Sequence, residues 1–233
     1  GADPRAMSHS WLFTGPPGSG RSLAAIDFAA ALMCTDPEEP GCGRCEACRA
    51  VLETKQHTDL VLVDPQEVII PVDTVREVIG RAASLPTVAS WRVVIFNNAD
   101  RLNNNGANAL LKTVEEPPAR TVIIMCAPSD ASEDFSQTLR SRCRHLYIPS
   151  PSVESITAQL VSEGASDHDA HLAALTSLRH VGRARRLVND PAVQKRRAVA
   201  INLAEDVFHG SQGFQAVTSL LKLVDSEAKE SHK

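Results

Sequence analysis

The stretch Ser10-Trp-Leu-Phe-Thr-Gly15-Pro-Pro-Gly18-Ser-Gly20-Arg21-Ser22 decides the fold. A short apolar run, Ser10–Phe13, leads into a glycine-rich turn. The alanine-rich segment Leu23–Met33 follows and suits a helix. Strand, glycine loop and helix in that order fit the phosphate-loop pattern G-x-x-x-x-G-[KR]-[ST], with Gly15, Gly18, Gly20, Arg21 and Ser22 as candidate nucleotide-binding positions. Such a loop works because glycines let backbone N–H groups converge on phosphate oxygens, and the next helix adds its positive end. Ser22 would hold Mg²⁺. The usual lysine is replaced by Arg21, a planar fork in place of a compact point charge, and that exchange is not conservative.

Working outward, Leu60–Val63 (LVLV), Arg92–Phe96 (RVVIF), Thr121–Cys126 (TVIIMC) and His145–Ile148 read as further strands. Val68–Ile70 reads as a small edge piece. Between the strands, Val72, Val75, Val78, Ile79 and Ala82 recur at helical spacing, as do Ala107, Leu110, Leu111 and Val114 in Asn104–Glu116, which Pro117-Pro118 ends. Phe135–Arg140 also reads as helical. Strands alternating with helices predict an α/β fold with a parallel sheet covered on both faces. Strand signals stop at Pro151. Val153–Leu160, Asp169–Leu178 and Arg183–Val188 then read as helices, and helical stretches run on to about Leu223. The expected organisation is a P-loop domain over 1–150, a helical lid over 151–190, and the shortened start of a further helical region over 191–233. The polar end SEAKESHK is expected to fray.

A second chemical defect lies after the third strand. A P-loop ATPase carries an Asp there that helps hold Mg²⁺, commonly with a Glu that activates water. Here Asn97 and Asn98 stand instead, and an amide neither takes a proton from water nor offers the metal a charge. Asp100 lies three residues past the strand and reads as the N-cap of the next helical stretch.

Four of the six cysteines cluster as C-x₇-C-x₂-C-x₂-C: Cys34, Cys42, Cys45 and Cys48. Four thiolates suit tetrahedral Zn²⁺, and with no open position for water the site would be structural. An iron–sulfur cluster is the rival occupant. His57 reads as a solvated loop residue, Cys126 as a small apolar packing residue, and Cys143 as structural.

The net charge of −4 argues against gripping nucleic acid by bulk charge. No apolar run approaches membrane-spanning length, and GADPRAMSHS lacks the apolar core of a secretory signal, so a cytoplasmic location with no membrane partner is expected. Those first residues read as an appended remnant or as the end of a chain shortened upstream.

The segment Asn108-Ala-Leu-Leu-Lys-Thr-Val-Glu-Glu-Pro-Pro118, the segment Thr138-Leu-Arg-Ser-Arg-Cys143, the opening around Trp11 and the cysteine insertion together resemble the clamp-loader subunits of bacterial DNA polymerase III, in the AAA+ superfamily. Within that family Arg21, Asn97 and Asn98 place the chain nearer the delta-prime type, whose nucleotide chemistry is often defective. The resemblance implies a DNA replication subunit in a hetero-oligomeric ring with gamma/tau and delta partners, acting on a sliding clamp and primer–template DNA. By association the chain would be part of a nucleotidyltransferase complex without an ATPase of its own. It also implies that Arg142, of the Ser-Arg-Cys motif, serves as an arginine finger on a neighbour's ATP. Arg183 and Arg185 compete with Gly182 for the lid sensor position. Two other readings stay open: a gamma/tau-type subunit that binds and hydrolyses ATP with Mg²⁺, and a zinc-stabilised P-loop interaction module.

Overall fold

The computed structural model describes residues 8–65 and 67–208, together with 217, 218 and 221. The expected frayed C-terminus lies outside them. The chain divides into two compact units, Gly1–Ser150 and Pro151–Lys233.

The first unit runs β1 (Ser10–Thr14), α1 (Arg21–Met33), α2 (Glu46–Arg49), a π-helical turn Ala50–Thr54, β2 (Leu60–Val63), α3 (Val72–Ala82), β3 (Arg92–Phe96), α4 (Asn104–Glu115), β4 (Thr121–Ala127), α5 (Gln137–Arg140) and β5 (Arg144–Tyr147). All five strands are parallel, in the order β2-β3-β4-β1-β5. This is the α/β parallel sheet expected from the alternation of strands and helices.

Continuous apolar strands sort into two faces by their period of two. Phe13, Val93, Ile95, Val122, Ile124 and Cys126 face α1 and the cysteine insertion, where they meet Ala25, Ile26, Ala29, Met33 and Val51. Leu12, Val94, Phe96, Ile123 and Met125 face the other way, onto Val75, Val78, Leu110, Val114 and Leu139. Both central strands, β3 and β4, are buried along their whole length. The edge strand β5 is not: Leu146 and Tyr147 are exposed, which is why its sequence signal is weak.

Several boundaries differ from the expectation. β5 begins at Arg144 because Arg144 pairs in register with Trp11 and its guanidinium lies 5.3 Å from the Trp11 ring. α5 starts at Gln137, so Phe135 lies before it. Ile70 forms only an isolated bridge to Leu102, leaving Val68 and Ile69 exposed. Asp100 caps nothing; it is exposed within a 3-10 turn, Ala99–Arg101. The N-cap of α4 is Asn103, whose side chain accepts from the Gly106 N–H at 2.8 Å.

The second unit contains α6 (Val153–Ser162), α7 (Asp167–Thr176), α8 (Val181–Asn189) and α9 (Pro191–Phe208). Ser152 and Ser166 cap α6 and α7 through their side chains. Its own core is built from Ile156, Leu160, Ala170, Ala173, Ala174 and Ala184. No described helix is long and apolar enough to cross a membrane.

Candidate functional site

Gly15 follows β1 directly, and the loop it opens closes on itself. Its N–H donates to Pro128 O and the Ser19 N–H donates to Pro16 O. A Cβ at Gly15 would fall 2.2 Å from Ile148 O and 2.5 Å from Ser19 Oγ, so only glycine fits. Gly20 caps α1 in the left-handed region, at φ 92°. Arg21 begins α1, yet its side chain turns back into the loop. Its Nη1 donates to Gly15 O at 2.7 Å and its Nη2 to Asn98 Oδ1 at 3.4 Å, with the residue 9% exposed. Both terminal nitrogens of the guanidinium are therefore engaged by the protein's own oxygens.

Asn98 sits at φ 52°, a left-handed conformation that asparagine tolerates, and this aims its amide at Arg21. Asn97 is buried at the end of β3, its N–H donating to Val63 O. Ser19 Oγ, Arg21 Nε and Asn97 Oδ1 are buried without hydrogen-bond partners. The loop and the end of β3 thus bring Ser19, Arg21, Asn97 and Asn98 together as a polar cluster. Asn97 and Asn98 put two uncharged amides at the end of β3. Ser22 lies half-buried in the first turn of α1.

The four clustered cysteines are brought together. Cys34 ends α1, Cys45 is the N-cap of α2 and Cys48 lies within α2, facing the core. Their sulfurs all lie within 4.8 Å of one another, with Cys34 Sγ 3.6 Å from Cys42 Sγ and 3.9 Å from Cys45 Sγ. A tetrahedral zinc with Zn–S bonds of about 2.3 Å spaces its sulfurs about 3.8 Å apart, so the set fits that ion. These distances are far beyond a disulfide bond of about 2.05 Å.

Backbone N–H groups of Asp36, Cys45 and Cys48 point at Cys34, Cys42 and Cys45 sulfurs, each at 3.4 Å. Burial would raise the Cys34 thiol, but backbone N–H groups of Cys42, Asp36 and Gly41 outweigh it and lower it. Hydrogen bonds from the backbone of Thr35 and then of Cys48 bring Cys45 down to about 5. Burial pushes Cys48 up to about 12. Gly41 and Gly43 turn the loop at positive φ. The four cysteines could hold a metal ion, in agreement with zinc. Cys126 and Cys143 are buried elsewhere, each thiol pushed up to about 12 by desolvation.

Arg142 lies at the other end of the sheet from the phosphate loop. It precedes β5 by two residues, and β5 runs parallel to β1 with Arg144 beside Trp11 and Tyr147 beside Thr14. The four residues of β5 separate the two ends by about 13 Å at roughly 3.3 Å per residue. That is more than an arginine side chain spans. Arg142 Nε donates to Glu115 Oε1, and its Nη1 donates to Thr138 O at 2.8 Å and to Ser141 Oγ at 3.2 Å. Together with Arg144, His9 and Glu115 it lines a shallow groove of about 230 Å³ at the amino ends of β1 and β5.

In the second unit Arg185 is engaged with Glu163 through two hydrogen bonds, at 2.8 and 2.6 Å. Arg183 and Gly182 are exposed on the first turn of α8. His57 is half-buried and caps a turn by accepting the Asp59 N–H.

Residues 2–152 match the family described as DNA polymerase III, delta subunit. The chain belongs to that family. Its relatives include the delta-prime subunit of DNA polymerase III from Pseudomonas aeruginosa, 35% identical over 147 residues, which are 62% of this chain and 44% of the relative. The Escherichia coli delta-prime subunit is 33% identical over 170 residues, covering 72% of this chain and 50% of its own length. This member of the family therefore spans about half the length of the curated relatives it matches. In fold it resembles a DNA polymerase III gamma subunit-related protein of Thermotoga maritima, at a TM-score of 0.58 and 18% identity, covering 96% of this chain and 74% of that one. The parallel sheet with its loop after β1 is the AAA+ P-loop fold that the resemblance implied.

Glu115 was not singled out from the sequence. Its signal was present nonetheless: an acidic residue in the last turn of a helix, where the macrodipole disfavours it. Asp59 was also missed, and it heads a buried polar cluster under the sheet edge.

Proposed function

We propose that this chain is a clamp-loader subunit of DNA polymerase III whose phosphate loop serves as scaffold and whose Arg142 acts on ATP held by a neighbouring subunit. The observation that carries the reading is the separation of Arg142 from the chain's own phosphate loop along β5, which leaves the guanidinium to reach phosphate only in another molecule. Supplying the charge in trans couples hydrolysis to assembly, because the neighbour's site is complete only when the two subunits meet. Arg142 is partly exposed, with its side chain at 36%, as a residue that meets a partner must be.

The chain's own pocket supports the complementary half of the proposal. Arg21 is bonded to Gly15 O and Asn98 Oδ1, and Asn97 and Asn98 carry no charge for Mg²⁺. Such a pocket lends shape to a ring and does not cleave phosphate. The names of the relatives, delta-prime and gamma/tau subunits of DNA polymerase III, support a multi-subunit complex, here read as a hetero-oligomeric ring with gamma/tau and delta partners. A sliding clamp and primed DNA would be met through that ring. Zinc at the four cysteines would be structural, tying the end of α1 to α2.

The test is a reconstituted ring containing the full-length protein. Arg142→Ala is expected to lower ATP turnover by at least about tenfold at the neighbouring site, since fingers of this kind carry large rate factors. Unchanged turnover and assembly would sink the reading.

A further inference from the structure

Glu115 and Glu116 close α4, Glu115 in its last turn and Glu116 as the C-cap, ahead of Pro117-Pro118. Both stand where helix carbonyls already concentrate negative charge, a placement costing about 0.3–1 kcal/mol for each carboxylate. A local rule broken in this way calls for a compensating partner. Glu116 is exposed, its backbone N–H donates to Lys112 O, and its side chain makes no described hydrogen bond or ion pair. Glu115 has a partner: Arg142 Nε donates to its Oε1.

The end of α4 is itself fixed, because Ser10 Oγ donates to Val114 O at 3.1 Å across the buried start of β1. Glu115 is thus carried on an anchored helix end, 27 residues away in sequence from the arginine it holds. The guanidinium has one N–H on Nε and two on each terminal nitrogen. Glu115 takes Nε. Thr138 O and Ser141 Oγ take Nη1. The donors left for a ligand are those on Nη2.

The groove holds two other basic side chains, and each is committed elsewhere. Arg144 stacks over Trp11 at 5.3 Å, and His9 Nδ1 lies 3.0 Å from Thr121 O, with its ring against Trp91.

We infer that Glu115 is a positioning residue for Arg142: it anchors the guanidinium by Nε so that the Nη2 edge is presented, already ordered, to a phosphate on the adjoining subunit. Without that anchor the arm would have to lose its rotamer freedom when the neighbour's nucleotide arrives. An exposed pair of this kind is a modest device, and its loss changes rates by a factor of about two to five. The inference rests on the proposed role of Arg142 in trans.

The experiment is ATP turnover by a reconstituted ring of full-length subunits, with thermal melting of each variant as a control for folding. Glu115→Ala is expected to lower kcat about two- to fivefold with the melting temperature little changed. Glu115→Gln, whose amide oxygen still accepts from Nε, is expected to restore most of that loss. Glu116→Ala, which removes the neighbouring charge without touching Arg142, is expected to leave kcat unchanged. Arg142→Ala is measured alongside. If Arg142→Ala slows the ring and Glu115→Ala does not, the positioning role falls and the finger stands. If both Glu115 variants speed turnover, the carboxylate masks the arginine and the inference is overturned. If Arg142→Ala is itself without effect, the reading beneath falls with it.

Discussion

The Arg92 guanidinium meets the Asp59 carboxylate at 2.9 Å, with side chains 8% and 0% exposed. Three backbone N–H groups, of Thr87, Val88 and Ala89, converge on the same carboxylate, and Arg92 Nη1 donates to Arg81 O and Ser84 O. One buried ion pair thus pins the loop between α3 and β3 to the start of β2. Burial alone would raise the Asp59 carboxyl. The N–H groups of Ala89, Val88 and Thr87, with Arg92, outweigh it and hold it well below the usual carboxylate range.

Removing one partner of a buried pair leaves the other charge uncompensated. Asp59→Asn is expected to destabilise the protein by about 3–5 kcal/mol, measured by urea unfolding at neutral pH. The sign with pH follows from the lowered carboxyl. The unfolded carboxyl titrates at about 3.9, so the contribution is full above that value and is lost as pH falls toward the folded one. The gap between wild type and Asp59→Asn should therefore narrow in acid. A gap constant from neutral pH to about pH 3 would refute this account.

The glycines offer a paired test. Gly15→Ala would push a Cβ to 2.2 Å from the Ile148 carbonyl, and is expected to cost about 1–3 kcal/mol or more. Gly80, within α3, has nothing within 4 Å of the same atom. Gly80→Ala should stabilise by about 0.5–1 kcal/mol through helix propensity. Equal effects of the two changes on unfolding midpoints would contradict the packing described at the phosphate loop.

Metal removal is expected to loosen the insertion between α1 and β2. The protein as purified should carry one zinc per chain by mass spectrometry, and Cys42→Ser should bind it much more weakly. Because Cys48 and Val51 pack into the sheet face, loss of the ion should lower the melting temperature, by about 2–4 °C for each kcal/mol lost. Protein grown with ample zinc that contains none would remove the structural role.

For the phosphate loop, titration calorimetry of the isolated full-length protein with ATP-γ-S and Mg²⁺ is expected to show no magnesium-dependent binding, and phosphate release should stay at background. Arg21→Lys alone should not restore turnover, because Asn97 and Asn98 still supply no charge. Phosphate release by that single variant would contradict the assignment of the defect to both positions.

Much of this was legible in the chain itself. The runs LVLV, RVVIF and TVIIMC are buried through both faces of a parallel sheet, and unbroken apolar composition signals that directly. The cysteine spacing specified a cluster because two tight turns deliver three of the ligands locally. Where the signal failed, the forces were of long range. Asp100 looked like a cap, but the turn after β3 begins from Asn98 in a left-handed conformation, and Asn103 caps α4 instead. Asp59 gave little warning, since it is defined by an arginine 33 residues away, and the unfavourable place of Glu115 at a helix end did not name its partner, 27 residues away.

The sequence by itself determined which chemistry was present and which was absent: the glycine loop, the four thiols, an arginine for a lysine, and amides for acids. Those are properties of residue type and close spacing, and need no folded chain to be read. Only the tertiary structure decided where each group points. It turned Arg21 inward onto Gly15 and Asn98, set Arg142 at the opposite end of β5 from the loop, and brought Glu115 to its side. Such placements follow from parallel register and helix docking, which pair residues far apart in the chain and leave no local pattern to mark them.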